Sequence, residues 1–160
     1  MKAIILAGGE GTRLRPVTSS CPKPMVKMFD KPVIDGVIAL LKNAGVTDIC
    51  VTLGYMPQAL MDHLGDGRQY GVSISYSLEE EPLGTAGGVK KCEKFIDGDD
   101  FIVISGDCVC SFDLKECLKA HKSKDAFATV LLYRSGSPLE YGLAVTSSSG
   151  RIIKFIEKPS

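Results

Sequence analysis

Residues 1–16 read MKAIILAGGEGTRLRP and set a short apolar run directly against a loop almost without side chains. Ala3, Ile4, Ile5, Leu6 and Ala7 have the unbroken hydrophobicity of a parallel strand covered on both faces, not the alternation of a half-exposed one. Gly8, Gly9, Gly11 and Thr12 follow. Backbone amides can approach a ligand closely there, and glycine takes the positive φ angles that a tight turn needs. Arg13 and Arg15 add fixed positive charge beside those amides, and amides with guanidinium groups describe a phosphate site. The loop differs from two other phosphate loops. Leu14 stands where the dinucleotide fingerprint G-x-G-x-x-G needs its third glycine, and no Gly-Lys-Ser/Thr closes a P-loop. A plain glycine turn with two solvated arginines is the alternative that these sixteen residues leave open.

The surrounding composition narrows the ligand. The 160 residues carry 19 basic and 19 acidic side chains, a net charge of zero, which argues against a general nucleic-acid or membrane-surface binder. The basic residues cluster, however. Between Gly11 and Phe29 stand Arg13, Arg15, Lys23 and Lys27 without one acid, an excess suited to a small polyanion. No apolar run approaches the roughly 18 residues of a membrane span, and the N-terminus reads as a strand, not a signal peptide. Six cysteines include only one close pair, Cys108 and Cys110, which lacks the C-x-x-C spacing of a zinc knuckle or redox motif. Cys50 lies in an apolar run as a small hydrophobe. A reduced, cytoplasmic chain is expected.

Strand and helix signals alternate along the sequence. The spacing of Val33, Ile34, Val37, Ile38, Leu40 and Leu41 predicts a helix ended by Gly45. Asp48–Leu53 reads as a strand, Pro57–Leu64 as a short helix and Val72–Ser77 as a third strand. The turn-rich loop Glu79–Gly84 leads to a helix over Thr85–Phe95, and Phe101–Ser105 is a fourth strand ending at Gly106-Asp107. Leu114–Lys122 reads as helix and Ala126–Tyr133 as a fifth strand. Gly142–Thr146 and Arg151–Ile156 read as a hairpin turning at TSSSG. This rhythm predicts an α/β fold: a Rossmann-like, mostly parallel sheet with helices on both faces. Ligands of such sheets bind beyond the carboxyl ends of the strands. The loops after the first, third and fourth strands therefore converge on one crevice.

The motifs in order are Leu6-Ala-Gly-Gly-x-Gly-Thr-Arg-Leu14, Pro22-Lys23-Pro24, Glu81-Pro-Leu-Gly-Thr-Ala-Gly87, Gly106-Asp107, Tyr141-Gly142 and Glu157-Lys158-Pro159. Together they resemble the blocks of sugar-1-phosphate nucleotidyltransferases, the nucleoside-diphosphate-sugar pyrophosphorylases, from residue 1 to the last residue. Any one block is weak evidence, whereas six in order are specific. The resemblance implies transfer of a nucleoside monophosphate from a nucleoside triphosphate to a sugar 1-phosphate, with release of pyrophosphate. GTP with mannose 1-phosphate is the first expectation. The alternatives are a glucose-1-phosphate adenylyl-, uridylyl- or thymidylyltransferase, or a non-catalytic regulatory member of the same family.

By the resemblance, Leu6, Gly8, Gly9, Gly11, Thr12, Glu81 and Gly84 contact the nucleotide, and Arg13 grips its triphosphate, where a planar fork suits bidentate binding. Lys23 would stabilise charge at the α-phosphate, in a loop that Pro22 and Pro24 stiffen. Asp107 would hold Mg²⁺, and Gly142, Glu157 and Lys158 would contact the sugar phosphate. Glu79 and Glu80 read as a solvated charge run. The chemistry agrees with these roles. A phosphate monoester has a second pKa of about 6, so the acceptor is already largely dianionic and positioning with positive charge must dominate. Two departures stand out. Lys27 occupies a position where relatives often carry proline. The family's catalytic domain usually continues past the Glu-Lys-Pro block, with further strands and a second metal-binding aspartate. Residues 1–160 are therefore expected to be the N-terminal part of a catalytic domain, C-terminally truncated, nearly inert alone and prone to self-association.

Overall fold

The computed structural model describes residues 1–137 and 141–157, which form two compact units, Met1–Leu114 and Lys115–Ser160. The first unit runs β1 (Lys2–Ala7), the short strands β2 (Lys27–Met28) and β3 (Lys31–Pro32), α1 (Val33–Asn43), β4 (Asp48–Leu53), α2 (Pro57–Leu64), β5 (Ser73–Leu78), α3 (Gly84–Lys91), α4 (Glu93–Ile96) and β6 (Phe101–Ser105). Its sheet has the order β5-β4-β1-β6, and every pairing is parallel. The expected α/β class is therefore the observed one.

Burial explains the apolar runs. Ala3, Ile4, Ile5, Ile49, Val51 and Leu53 of the two central strands have no exposed surface. Ile4 joins Cys50 and Cys92 in one cluster, against which Leu6, Val89, Phe95 and Ile96 pack. Alternation along a strand turns Ala3, Ile5 and Ala7 to the opposite face. A side chain at Gly106 would there meet both Ile5 and Pro24. The buried stripe of α1, Ile34, Val37, Ile38 and Leu41, has the helical spacing read from the sequence. Gly45 ends that helix at φ +82°, with its N–H on the Lys42 carbonyl at 2.9 Å and the Val46 N–H on Leu41 at 3.0 Å. These paired bonds satisfy carbonyls that the helix end would leave open.

Two expectations fail. The helix expected over Thr85–Phe95 is two helices, because the chain tightens at Cys92, whose N–H bonds the Val89 carbonyl at 3.0 Å. The break lets Phe95 and Ile96 reach the same cluster as the buried Cys92. The fifth strand expected over Ala126–Tyr133 is not formed. Among the described residues it has no partner, and Phe127 and Tyr133 are fully or almost fully exposed. A strand without a neighbour leaves its backbone ladder unsatisfied, whatever its side chains prefer.

The second unit begins within α5 (Leu114–Ser123) and contains the antiparallel hairpin β7 (Leu143–Thr146) and β8 (Ile152–Ile156). Its turn is closed by the Gly150 N–H on Ser147 O at 3.0 Å and the Ser147 N–H on Arg151 O at 2.9 Å.

The sheet order places a crevice. From β1 the chain moves outward to β4 and β5, then returns to β6 on the other side of β1. The carboxyl ends of β1 and β6 flank the point where strand order reverses, the position at which open α/β sheets bind ligands.

Candidate active site

A cleft of about 770 Å³ opens at that edge. Ten candidate residues of the first unit line it: Leu6, Gly8, Gly9, Gly11, Thr12, Arg13, Lys23, Glu81, Gly84 and Asp107. Leu6 lies in β1 and Gly84 opens α3; the others come from the loops after β1, β5 and β6 and from the turn before β2.

The glycine loop owes its path to its residue types. Gly11 has φ +64° and ψ +34°, a conformation that side chains rarely adopt. A Cβ there would also lie 3.1 Å from both Thr18 Cγ2 and Lys23 Cβ. Thr12–Leu14 then forms one tight turn, with the Leu14 N–H on Gly11 O at 2.9 Å. Arg15 is tied to Glu10 at 3.4 Å on the surface. Arg13 has no hydrogen-bond or ion-pair partner among the described residues, so its guanidinium is available for a ligand.

Lys23 begins a tight turn, Lys23–Met25, between Pro22 and Pro24, both buried. The rigid flanks bring its ammonium Nζ to Asp107 Oδ2, and the two form an ion pair inside the cleft. Asp107 follows β6 directly. The preceding Gly106 N–H bonds Leu6 O at 2.8 Å, which ties the aspartate to the glycine loop's own strand. The side chains of Lys23 and Asp107 are 36% and 23% exposed.

Glu79 corrects the sequence reading. It is half-buried, not part of a solvated run. Its Oε2 accepts the Leu83 N–H at 3.3 Å, and its carboxylate faces both Gly8 and Gly88, where an added Cβ on Gly88 would lie 2.7 Å from Oε1. Glu80 remains exposed, as read. Tyr55 and Thr52 were also missed. Both line the cleft, and Thr52 Oγ1 accepts the Ala7 N–H at 3.3 Å. Paired glycines inside a helix, Gly87-Gly88, were the one local sign that something approaches α3 closely.

In the second unit the hairpin register pairs Leu143 with Ile156, which brings Gly142 and Glu157 together. A Cβ on Gly142 would lie 3.0 Å from Glu157 Oε2. Lys158 lies outside the described residues.

All six cysteines are free thiols. Cys50 and Cys92 face each other with sulfurs 3.7 Å apart, and burial together with the Cys92 thiol pushes Cys50 up to about 12. Burial and the neighbouring Cys108 push Cys110 up to about 11. Among the described residues no three His, Cys, Asp or Glu side chains gather as a metal cage, and no helix is long and apolar enough to cross a membrane. Asp107 is one of five carboxylates that line the cleft, with Glu10, Glu79, Glu80 and Glu81, and as an oxygen donor it suits Mg²⁺. That ion takes one or two carboxylates and completes its shell with water and phosphate oxygens.

A family profile described as Nucleotidyl transferase matches residues 2–160. A mannose-1-phosphate guanyltransferase 2 of Candida glabrata is 42% identical over 99% of this chain. A UTP–glucose-1-phosphate uridylyltransferase of Synechocystis is 38% identical over the whole chain. The chain spans 45% of the length of each of these relatives. Among solved structures, a Bacillus anthracis protein provisionally assigned as a glucose-1-phosphate thymidylyltransferase superposes with a TM-score of 0.91 at 34% identity, covering 99% of this chain and 65% of that one. HddC of Yersinia pseudotuberculosis, solved with GMP-PN, superposes at 0.75 and 28% identity over 99% of this chain and 70% of its own.

Proposed function

The chain belongs to the nucleotidyl transferase family, and from that premise we propose that it joins a nucleoside monophosphate, taken from a nucleoside triphosphate, to a sugar 1-phosphate and releases pyrophosphate. GTP with mannose 1-phosphate is the favoured pair, on the names of the relatives at 40–42% identity. One observation carries the reading: an unpartnered Arg13, a loop-held Lys23, Asp107 and the glycine loop all line one cleft at the sheet's switch point.

The residues divide the work by charge. Gly8, Gly9, Gly11 and Thr12 let the backbone approach the nucleotide, with Leu6, Glu81 and Gly84 as the remaining nucleotide-binding set. Arg13 grips the triphosphate. Lys23 leaves Asp107 for the α-phosphate and stabilises the charge that develops as the bond to pyrophosphate breaks. Asp107 would hold Mg²⁺, which would screen phosphate repulsion. Gly142, Glu157 and Lys158 form the sugar-phosphate set. No general base is required, because the acceptor phosphate is already largely ionised near pH 7. Residues 1–160 form the N-terminal part of the catalytic domain, in a cytoplasmic enzyme whose free thiols suit a reducing compartment. The retention of Arg13, Lys23 and Asp107 together favours catalysis over a purely regulatory role. The Synechocystis relative favours UTP with glucose 1-phosphate as the second reading.

The test is a pyrophosphate-release screen of nucleoside triphosphates against sugar 1-phosphates, on this chain and on any longer product of its gene. Release is expected to be greatest with GTP and mannose 1-phosphate. Release with no pair, in either protein, would overturn the proposal.

A further inference from the structure

Thr18 has no role in the chemistry above, yet it has no exposed surface, although Val17 beside it is 56% exposed. Its hydroxyl Oγ1 donates to the carbonyl of Gly11 at 2.8 Å, the glycine whose left-handed conformation shapes the nucleotide loop. Its methyl group lies against the same glycine, 3.1 Å from where a Cβ would stand. Thr18 is itself held. The Tyr55 hydroxyl, at the end of β4, is 3.2 Å from the Thr18 carbonyl and 3.3 Å from that of Ser19. The Tyr55 N–H bonds the Gly8 carbonyl at 3.2 Å. Three hydrogen bonds therefore close a circuit from Gly8 through Tyr55 and Thr18 to Gly11, both ends of the loop tied to one strand end.

We propose that Thr18 is a positioning residue for the nucleotide loop and that Tyr55 anchors it, so that the loop holds its binding conformation before nucleotide arrives. The inference rests on the proposed nucleotide site. A glycine-rich loop would otherwise lose much conformational freedom on binding, and fixing it beforehand removes that cost from the affinity. Thr18 supplies both contacts, a methyl against Gly11 and a donor to its carbonyl.

Thr18→Val keeps the shape and removes only the donor, and the Gly11 carbonyl retains the Leu14 N–H, so no buried acceptor is left unpaired. GTP affinity, measured by direct titration, is expected to fall about five- to tenfold, the size of one net hydrogen bond. Thr18→Ser should return it to within about twofold, since the donor is restored. Tyr55→Phe should weaken GTP binding in the same direction by a smaller factor. Without nucleotide, amide hydrogen exchange at Leu14 and Arg15 should quicken in Thr18→Val. A Thr18→Val protein with wild-type GTP affinity and wild-type exchange would overturn the inference. If that variant fails to fold, Tyr55→Phe decides, and unchanged GTP affinity there overturns it equally. If the wild-type chain binds no GTP while exchange still responds, the brace stands and the nucleotide reading falls.

Discussion

Asp107→Asn should move nucleotide affinity in opposite directions with and without a divalent cation. In the free protein, Asp107 neutralises Lys23 within the cleft. The substitution is nearly isosteric and leaves the ammonium unpaired. Exposed ion pairs contribute roughly 0.2–1 kcal/mol, and this pair, only 36% and 23% exposed, belongs at the upper end of that range. About 1 kcal/mol corresponds to a factor of about five in affinity. In EDTA at low salt, GTP titrated calorimetrically should therefore bind Asp107→Asn about fivefold tighter than wild type. With Mg²⁺ present the order should reverse, because the carboxylate suited to the ion is gone. Glu80→Gln supplies the control for general charge. Glu80 lines the same cleft and has no ion pair among the described residues, so its removal should change affinity in EDTA by less than about twofold. Equal effects of the two substitutions in EDTA, or weaker binding by Asp107→Asn there, would refute the idea that the pair holds Lys23 in reserve.

Two further outcomes concern stability. At Gly54 an added Cβ would lie 2.6 Å from the Gly8 carbonyl oxygen, a backbone atom that cannot swing away, so Gly54→Ala should cost about 1–3 kcal/mol and lower the urea midpoint; a wild-type midpoint would show that the strand end and the loop are not in contact. Burial and the facing Cys92 thiol push Cys50 up to about 12, above the ordinary cysteine value of about 8.5, so its neutral thiol contributes stability fully present below about pH 8.5 and lost as pH rises towards 12. Urea midpoints should fall across that window and fall less steeply in Cys50→Ala; identical slopes would remove the thiol as the cause.

What the sequence disclosed follows from how local each signal is. β4, β6 and α2 have the bounds read from their own residues, because an apolar run or a Pro-to-Gly span carries its limits with it. The loops after β1, β5 and β6 line one cleft, as the reading expected, because parallel strands carry all their following loops to the same edge. The break at Cys92 was not legible. Val89, Cys92, Phe95 and Ile96 continue the helical spacing, and only packing on Ile4 and Cys50 reveals the turn. Residues 126–133 show the converse, strand-forming side chains without a neighbour to pair with among the described residues. Glu79 and Thr18 were missed for one reason. Their partners Gly8 and Gly88, and Gly11, are set by how loops meet in space, and a glutamate in a run of three or a threonine in a polar turn carries no mark of that meeting.

The cleft at the ends of β1 and β6 is proposed to receive the triphosphate of a nucleotide. Titrating GTP into the ¹⁵N-labelled protein and following backbone amide resonances tests it directly. The largest saturable shifts should fall on Gly8, Gly9, Gly11, Thr12 and Arg13, with Asp107 responding as Lys23 changes partner, and Arg13→Ala should weaken the response throughout. Saturable shifts centred elsewhere, or none at these residues at millimolar GTP, would contradict the account.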